Sequence, residues 1–170
     1  MAGLTQAMNQ AVQSMANRAG KYLTFRLGEE EYGIEILHVQ EIMGIIPVTH
    51  VPRTPAFVRG VLNLRGKVIP VIDLRLKFAM PSKEETEKTC IIVAQVMGTS
   101  GTVTMGFIVD EVSEVLDIPG QDIEDAPSFG GGLDTAYILG MAKTKGSVKI
   151  LIDIDRVLAT EDIAAINEST

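Results

Sequence analysis

The sequence predicts an all-β protein of two small five-stranded β-barrels packed side by side, with short N- and C-terminal helical segments. Three observations carry this prediction. Apolar segments of strand length, rich in Val, Ile, Tyr and Phe, recur from Lys21 onward with turn signals between them. Two blocks of sequence repeat in the same order along the chain. The length, 170 residues, suits one domain or two very small ones.

The elements follow in chain order. Leu4, Met8, Val12 and Met15 recur at near-helical spacing among Ala and Gln, so residues 1–19 read as a leader, a weak helix or disordered. Tyr22–Leu27 alternates as a strand, Gly28–Glu31 turns, and Tyr32–Ile36 returns as the second arm of a hairpin. Leu37–Ile42 reads as further strand or one helical turn. Pro47, Pro52 and Pro55 make residues 44–55 an extended strand and loop. Ala56–Leu64 holds a short turn and a strand, and Arg65-Gly66-Lys67 a tight turn. Val68–Leu74 is a strand in which Pro70 calls for an edge or a bulge. Residues 81–89 are a charged linker. Strands resume at Cys90–Met97, Val103–Val109 and Val112–Ile118. Gly130–Gly132 reads as a flexible loop, Tyr137–Ala142 and Ser147–Ile154 as the last strands. Arg156 to Ile166 has helical spacing and closes the fold.

The repeat organises these strands. Residues 32–42 (YGIEILHVQEI) align with residues 105–115 (MGFIVDEVSEV) at an offset of 73. Residues 66–74 (GKVIPVIDL) align with 146–154 (GSVKILIDI) at an offset of 80, which also matches Gly60 to Gly140. The difference falls around Gly130–Gly132, where a longer loop costs little. Each copy then holds about five strands in roughly 65 residues, the size of a small barrel. The predicted subdomains are 20–85 and 86–160, with a tail at 161–170 and strand exchange possible across the boundary. Two barrels side by side leave a seam, and a seam makes a groove.

Composition excludes several functions. Net charge is −7, without the basic footprint of a nucleic-acid binder. One cysteine forbids an internal disulfide and a Cys-cluster metal site. Trp is absent and aromatics are 5%, which argues against stacking platforms. No apolar run reaches the roughly 18–20 residues of a membrane span, and no secretory signal opens the chain, so a cytoplasmic protein without membrane insertion is expected. No GxSxG, HExxH or GxxxxGK[ST] run is present, so no catalytic residue, cofactor or metal is assigned. Cys90 reads as a core residue and His38 as a boundary residue. Asp73 and Asp153 hold equivalent repeat positions, which favours capping of the following turn.

Charge is segregated. Arg53 to Lys77 holds six cations and one anion, a local +5. Gly28 to Glu41 holds five Glu and no Lys or Arg, and Thr102 to Asp125 holds seven acidic residues and no basic ones. Complementary patches of this kind dock partners. Arg65 stands out, because it projects from a hairpin turn between two apolar strands and offers a planar fork for carboxylates.

Residues 60–75 (GVLNLRGKVIPVIDLR) resemble the most recognisable motif of the CheW family, the coupling proteins of bacterial chemotaxis. Tyr32-Gly33-Ile34 with residues 39–42, residues 54–60 and residues 106–115 resemble further family motifs, in order, from about Tyr22 to Leu158. The resemblance implies a non-catalytic scaffold of two five-stranded barrels. It implies as partners the cytoplasmic tip of methyl-accepting chemoreceptors and the regulatory domain of the histidine kinase CheA. By position it implies receptor contacts at Val39, Glu41 and Arg65, with Val112 and Val115 beside the groove. Gly60 is the kinase-side candidate. The alternatives are a CheW-like domain of a larger signalling protein, or a small β-barrel enzyme or ligand carrier with an inter-barrel site.

Overall fold

The structure, a computed structural model, describes residues 18–98, 101–127, 137–144 and 146–157. The chain opens with a hairpin of β1 (Gly20–Leu27) and β2 (Glu30–Glu35). A 3-10 turn over Ile36–His38 leads into β3 (Val39–Gly44), so both readings of residues 37–42 are partly realised. β4 (Val58–Leu64) and β5 (Lys67–Asp73) make a second hairpin, and α1 (Leu74–Lys77) follows. Then come β6 (Cys90–Gly98), β7 (Gly101–Val109) and β8 (Glu111–Ile118). A 3-10 turn over Gly120–Asp122 precedes β9 (Ile123–Glu124), a strand too short to stand out in the sequence. β10 (Ile138–Thr144), β11 (Ser147–Ile152) and α2 (Ile154–Val157) complete the described fold. The leader, the Gly130–Gly132 loop and the helical spacing beyond Val157 lie outside the described residues.

The strands form two sheets, and neither closes into the barrel that the sequence predicts. One has the order β8-β1-β2-β11-β10-β9, the other β3-β6-β7-β5-β4. In the five-stranded sheet, among the described residues, the gap between edge strands β3 and β4 is crossed by one bridge, Thr49 with Val61. Their two backbone hydrogen bonds are each 2.8 Å. Pro47, Pro52 and Pro55 flank that bridge and donate no N–H, so no ladder can continue there. In the six-stranded sheet β9 gives β10 only two partners, Ile123 and Glu124. Strands from both sides of residue 85 enter each sheet: β1 and β2 join β8–β11, and β6 and β7 join β3–β5.

The repeat is visible in the pairing itself. Val71 opposes Gly106 in a parallel ladder, and Leu151 opposes Gly33 in the other. These four residues are related by the offsets of 80 and 73. Register shifts fall between Val58 and Gly60 and between Ile138 and Gly140, again equivalent positions. Asp73 caps α1, its Oδ1 accepting from the Arg75 N–H at 3.0 Å, and Asp153 Oδ1 accepts from the Asp155 N–H at 3.1 Å. Capping is the role their repetition suggested. Pro70 differs from expectation, since β5 lies inside its sheet. Partners on β7 begin only at Val71, however, so at Pro70 the strand is paired on the β4 side alone and the missing N–H breaks no bond to β7.

One core cluster spans both sheets. Phe25, Leu27 and Ile34 meet Ile72, Ile92 and Phe107, all essentially without solvent exposure. Burying such a side chain contributes about 1.5–3 kcal/mol. At its rim the rings of Phe25, Tyr32, Phe78 and Tyr137 stack in series with centroids 5.9, 5.8 and 5.2 Å apart.

A polar node ties the sheets where β7 passes into β8. The Arg75 guanidinium grips the Asp110 carboxylate with both arms, Nε to Oδ1 at 2.7 Å and Nη2 to Oδ2 at 2.6 Å. The Gly28 N–H donates to the same Oδ2 at 2.8 Å. Burial alone would push the Asp110 carboxyl up. The hydrogen bonds from Arg75 and Gly28 and the charge of Arg75 outweigh it and hold the carboxyl below its ordinary value. A depressed carboxyl stabilises the fold fully above the unfolded value, near pH 4. That contribution is lost as pH falls through the folded value. Asp110→Asn should therefore cost about 3 kcal/mol near neutrality by leaving Arg75 without its partner. Its melting temperature should also fall less than that of the parent chain between pH 5 and pH 3. Parallel pH profiles for the two proteins would contradict this account of the node.

Candidate functional site

Arg65 stands in the two-residue turn between β4 and β5, flanked by the Leu64–Lys67 pair. Arg65 and Gly66 both have positive φ, 51° and 87°, as a type I′ hairpin turn requires. Asn63 supports the turn, its Oδ1 accepting from the Gly66 N–H at 2.7 Å. The Arg65 side chain is 70% exposed. It does not stand alone: its Nη2 donates to Glu41 Oε2 at 2.5 Å. This hydrogen bond, with the Glu41 charge behind it, raises the Arg65 pKa still further, so the fork is permanently cationic. Glu41 lies on β3 and Arg65 beyond β4, at opposite edges of the five-stranded sheet. Their contact requires the sheet to curl until its edges approach. The other Glu41 oxygen, Oε1, is buried and has no hydrogen-bond partner among the described residues.

The remaining candidates lie on edge strands at equivalent places. Val39 and Glu41 oppose Ala94 and Val93, so β3 carries one extra residue between them. Val112 and Val115 oppose Phe25 and Leu23, so β8 carries an extra residue there too. Each pair thus straddles a β-bulge, which bends the strand and re-aims its side chains. The β8 bulge is filled by Thr24, whose Oγ1 donates to the Glu114 carbonyl at 2.8 Å and accepts from the Glu114 N–H at 3.2 Å. Val39 and Val112 are half-buried against the shared core, whereas Val115 is 50% exposed. Gly60 lies on β4 directly beneath the backbone of Thr49, away from the Arg65 turn.

The structure therefore brings Arg65 and Glu41 together and places Val112 and Val115 on the other sheet. Sequence reasoning grouped Arg65 and Glu41 as receptor contacts on neighbouring strands but did not pair them with each other. Nothing in the spacing of residues 41 and 65 announces a curl that joins opposite edges. It also passed over Leu37, which is 91% exposed in the turn between β2 and β3. A signal existed: at the offset of 73 the apolar Leu37 stands where the other copy has the charged, ion-paired Asp110.

No helix among the described residues is long and apolar enough to cross a membrane. A family model, the CheW-like domain, matches residues 21–162. The chain is 40% identical over 167 residues to the chemotaxis protein CheW of Klebsiella aerogenes, covering 98% of this chain and 96% of that one. It is 38% identical to the chemotaxis protein CheW of Helicobacter pylori, over 81% of each chain. Among solved structures it resembles the scaffolding protein CheW of Thermoanaerobacter tengcongensis. That match has a TM-score of 0.74 and 35% identity, and covers 85% of this chain and 95% of that one. With the repeat, the two-sheet fold and the Arg65 hairpin in place, these likenesses put the chain in the CheW family.

Proposed function

We propose that this chain is a non-catalytic chemotaxis scaffold that couples the cytoplasmic tips of methyl-accepting chemoreceptors to the regulatory domain of the histidine kinase CheA. It works on the cytoplasmic side of the membrane, held there by its partners. The observation that carries the receptor half is the Arg65 fork, exposed on a two-residue turn and paired with Glu41. A receptor tip is a helical hairpin, and a helix docks by laying an apolar face in a groove with charged rims. Val39 and Val112 supply apolar floor, Val115 an exposed apolar edge, and Arg65 a fork for a receptor carboxylate. The kinase half is placed around Gly60, where Ile45, Pro47 and Val48 line a shallow cavity of about 360 Å³ with Arg59 and Glu85. Each contact need only be modest, because many scaffolds engaged together gain avidity.

Co-sedimentation tests both halves. Receptor-tip fragments assembled on vesicles should pull down the chain alone. They should pull down the CheA regulatory domain in larger amount when the chain is present. A chain that stays in the supernatant, with or without the kinase domain, would overturn the reading.

A further inference from the structure

Four ladders cross the middle of the chain. β1 is held by β8, β2 by β11, β3 by β6 and β5 by β7. Without them residues 20–77 keep two separate hairpins, β1–β2 and β4–β5, and the single strand β3. A lone hairpin is at best marginal in water. The shared core is divided the same way: Phe25, Leu27 and Ile72 come from the first half, Ile92, Phe107 and Ile152 from the second. Among the described residues, each half presents an apolar surface that the other half covers.

The covalent link between the halves is slight by comparison. Residues 81–88 are exposed throughout and join no strand. Their ties are at the surface: Arg75 Nη1 to the Pro81 carbonyl at 3.0 Å, the Arg59–Glu85 pair, and Lys88 to Glu111 at 3.9 Å. Neither the ladders nor the core depend on which chain supplies the complementary half. The tether favours the half of the same chain through its effective concentration, in the millimolar range for a short flexible linker. At comparable protein concentration the half of a second copy competes on equal terms.

We infer that residues 20–80 and 89–157 are complementary half-chains, and that segment 81–88 is the hinge through which two copies exchange halves to form an interlocked dimer. The partner is a second copy of this chain, and the interface is the one each monomer already contains.

The experiment uses the full chain with a protease site inserted after Lys83, in two versions, one tagged at the N-terminus and one with a different tag at the C-terminus. The two are unfolded, mixed, and refolded at micromolar and at millimolar concentration. Monomer is expected at the low concentration, and at the high one a dimer that carries both tags. Cutting the hinge should convert that dimer to complexes of monomer mass, in which the N-terminal tag of one chain captures the C-terminal tag of the other. The chains without the inserted site, refolded together at the high concentration, should also co-purify. Monomer alone at both concentrations would overturn the inference. So would a dimer that keeps its mass after the cut, or a separated half that stays folded by itself.

Discussion

Arg65→Glu will abolish receptor capture and lower the melting temperature by only a few degrees. The side chain is 70% exposed on a two-residue turn, so no core packing is lost with it. An exposed ion pair contributes little to stability in water. The modest cost has one source: Glu41 is only 26% exposed, and one of its oxygens is buried with no partner among the described residues. A second carboxylate facing it is a like-charge contact. Adding Glu41→Gln to Arg65→Glu should therefore recover the melting temperature. It should not recover receptor binding, because the fork proposed for the receptor carboxylate is still missing. The two readouts separate a binding role from a structural one. Unchanged receptor pull-down by Arg65→Glu would remove Arg65 from the proposed site. Recovery of pull-down in the double variant would mean that the turn matters only through its effect on β3.

The strand content of this chain is legible because its physics is local. Alternation places β1, the turn glycines Gly28 and Gly66 place the hairpins, and Asp73 and Asp153 announce their capped turns. The repeat is equally legible, and the parallel ladders realise it residue by residue, Val71 on Gly106 and Leu151 on Gly33. What the repeat does not contain is the destination of each copy. Similar strands can complete their own sheet or a neighbour's, and periodicity is the same in both cases. Barrel closure is hidden for another reason. It depends on whether the segment after β3 can hold a ladder against β4, and three prolines decide that it makes a single bridge. The Arg65–Glu41 contact rests on the resulting curl, so it could not be read before the sheet was seen.

Gly60→Ala should be the most destabilising single-methyl change in the five-stranded sheet, costing roughly 3 kcal/mol or more. A Cβ at this position would lie 2.0 Å from the Thr49 carbonyl oxygen, 2.7 Å from its carbon and 3.0 Å from the His50 Cα. All three are backbone atoms and cannot rotate aside. The residue also has φ of 143°, a conformation that L side chains rarely adopt. The obstructed group belongs to the one bridge that spans the open edge, Thr49 with Val61. Displacing it leaves two backbone hydrogen bonds unmade. The equivalent Gly140 provides the control. There the added Cβ meets the Ile123 Cγ2 at 2.6 Å, the end of a side chain, and the Glu124 carbonyl only at 3.0 Å. Gly140→Ala should therefore cost clearly less. Urea unfolding of the two variants against the parent chain checks the order. For a domain whose total stability is about 5–15 kcal/mol, the loss at Gly60 is a large share of the whole. Kinase binding by Gly60→Ala must then be measured where the variant is folded. Loss of CheA binding by that folded variant would assign Gly60 a contact role in addition to its place beneath the bridge. Equal stability of the two variants would mean that the Thr49–Val61 bridge does not hold the sheet edge.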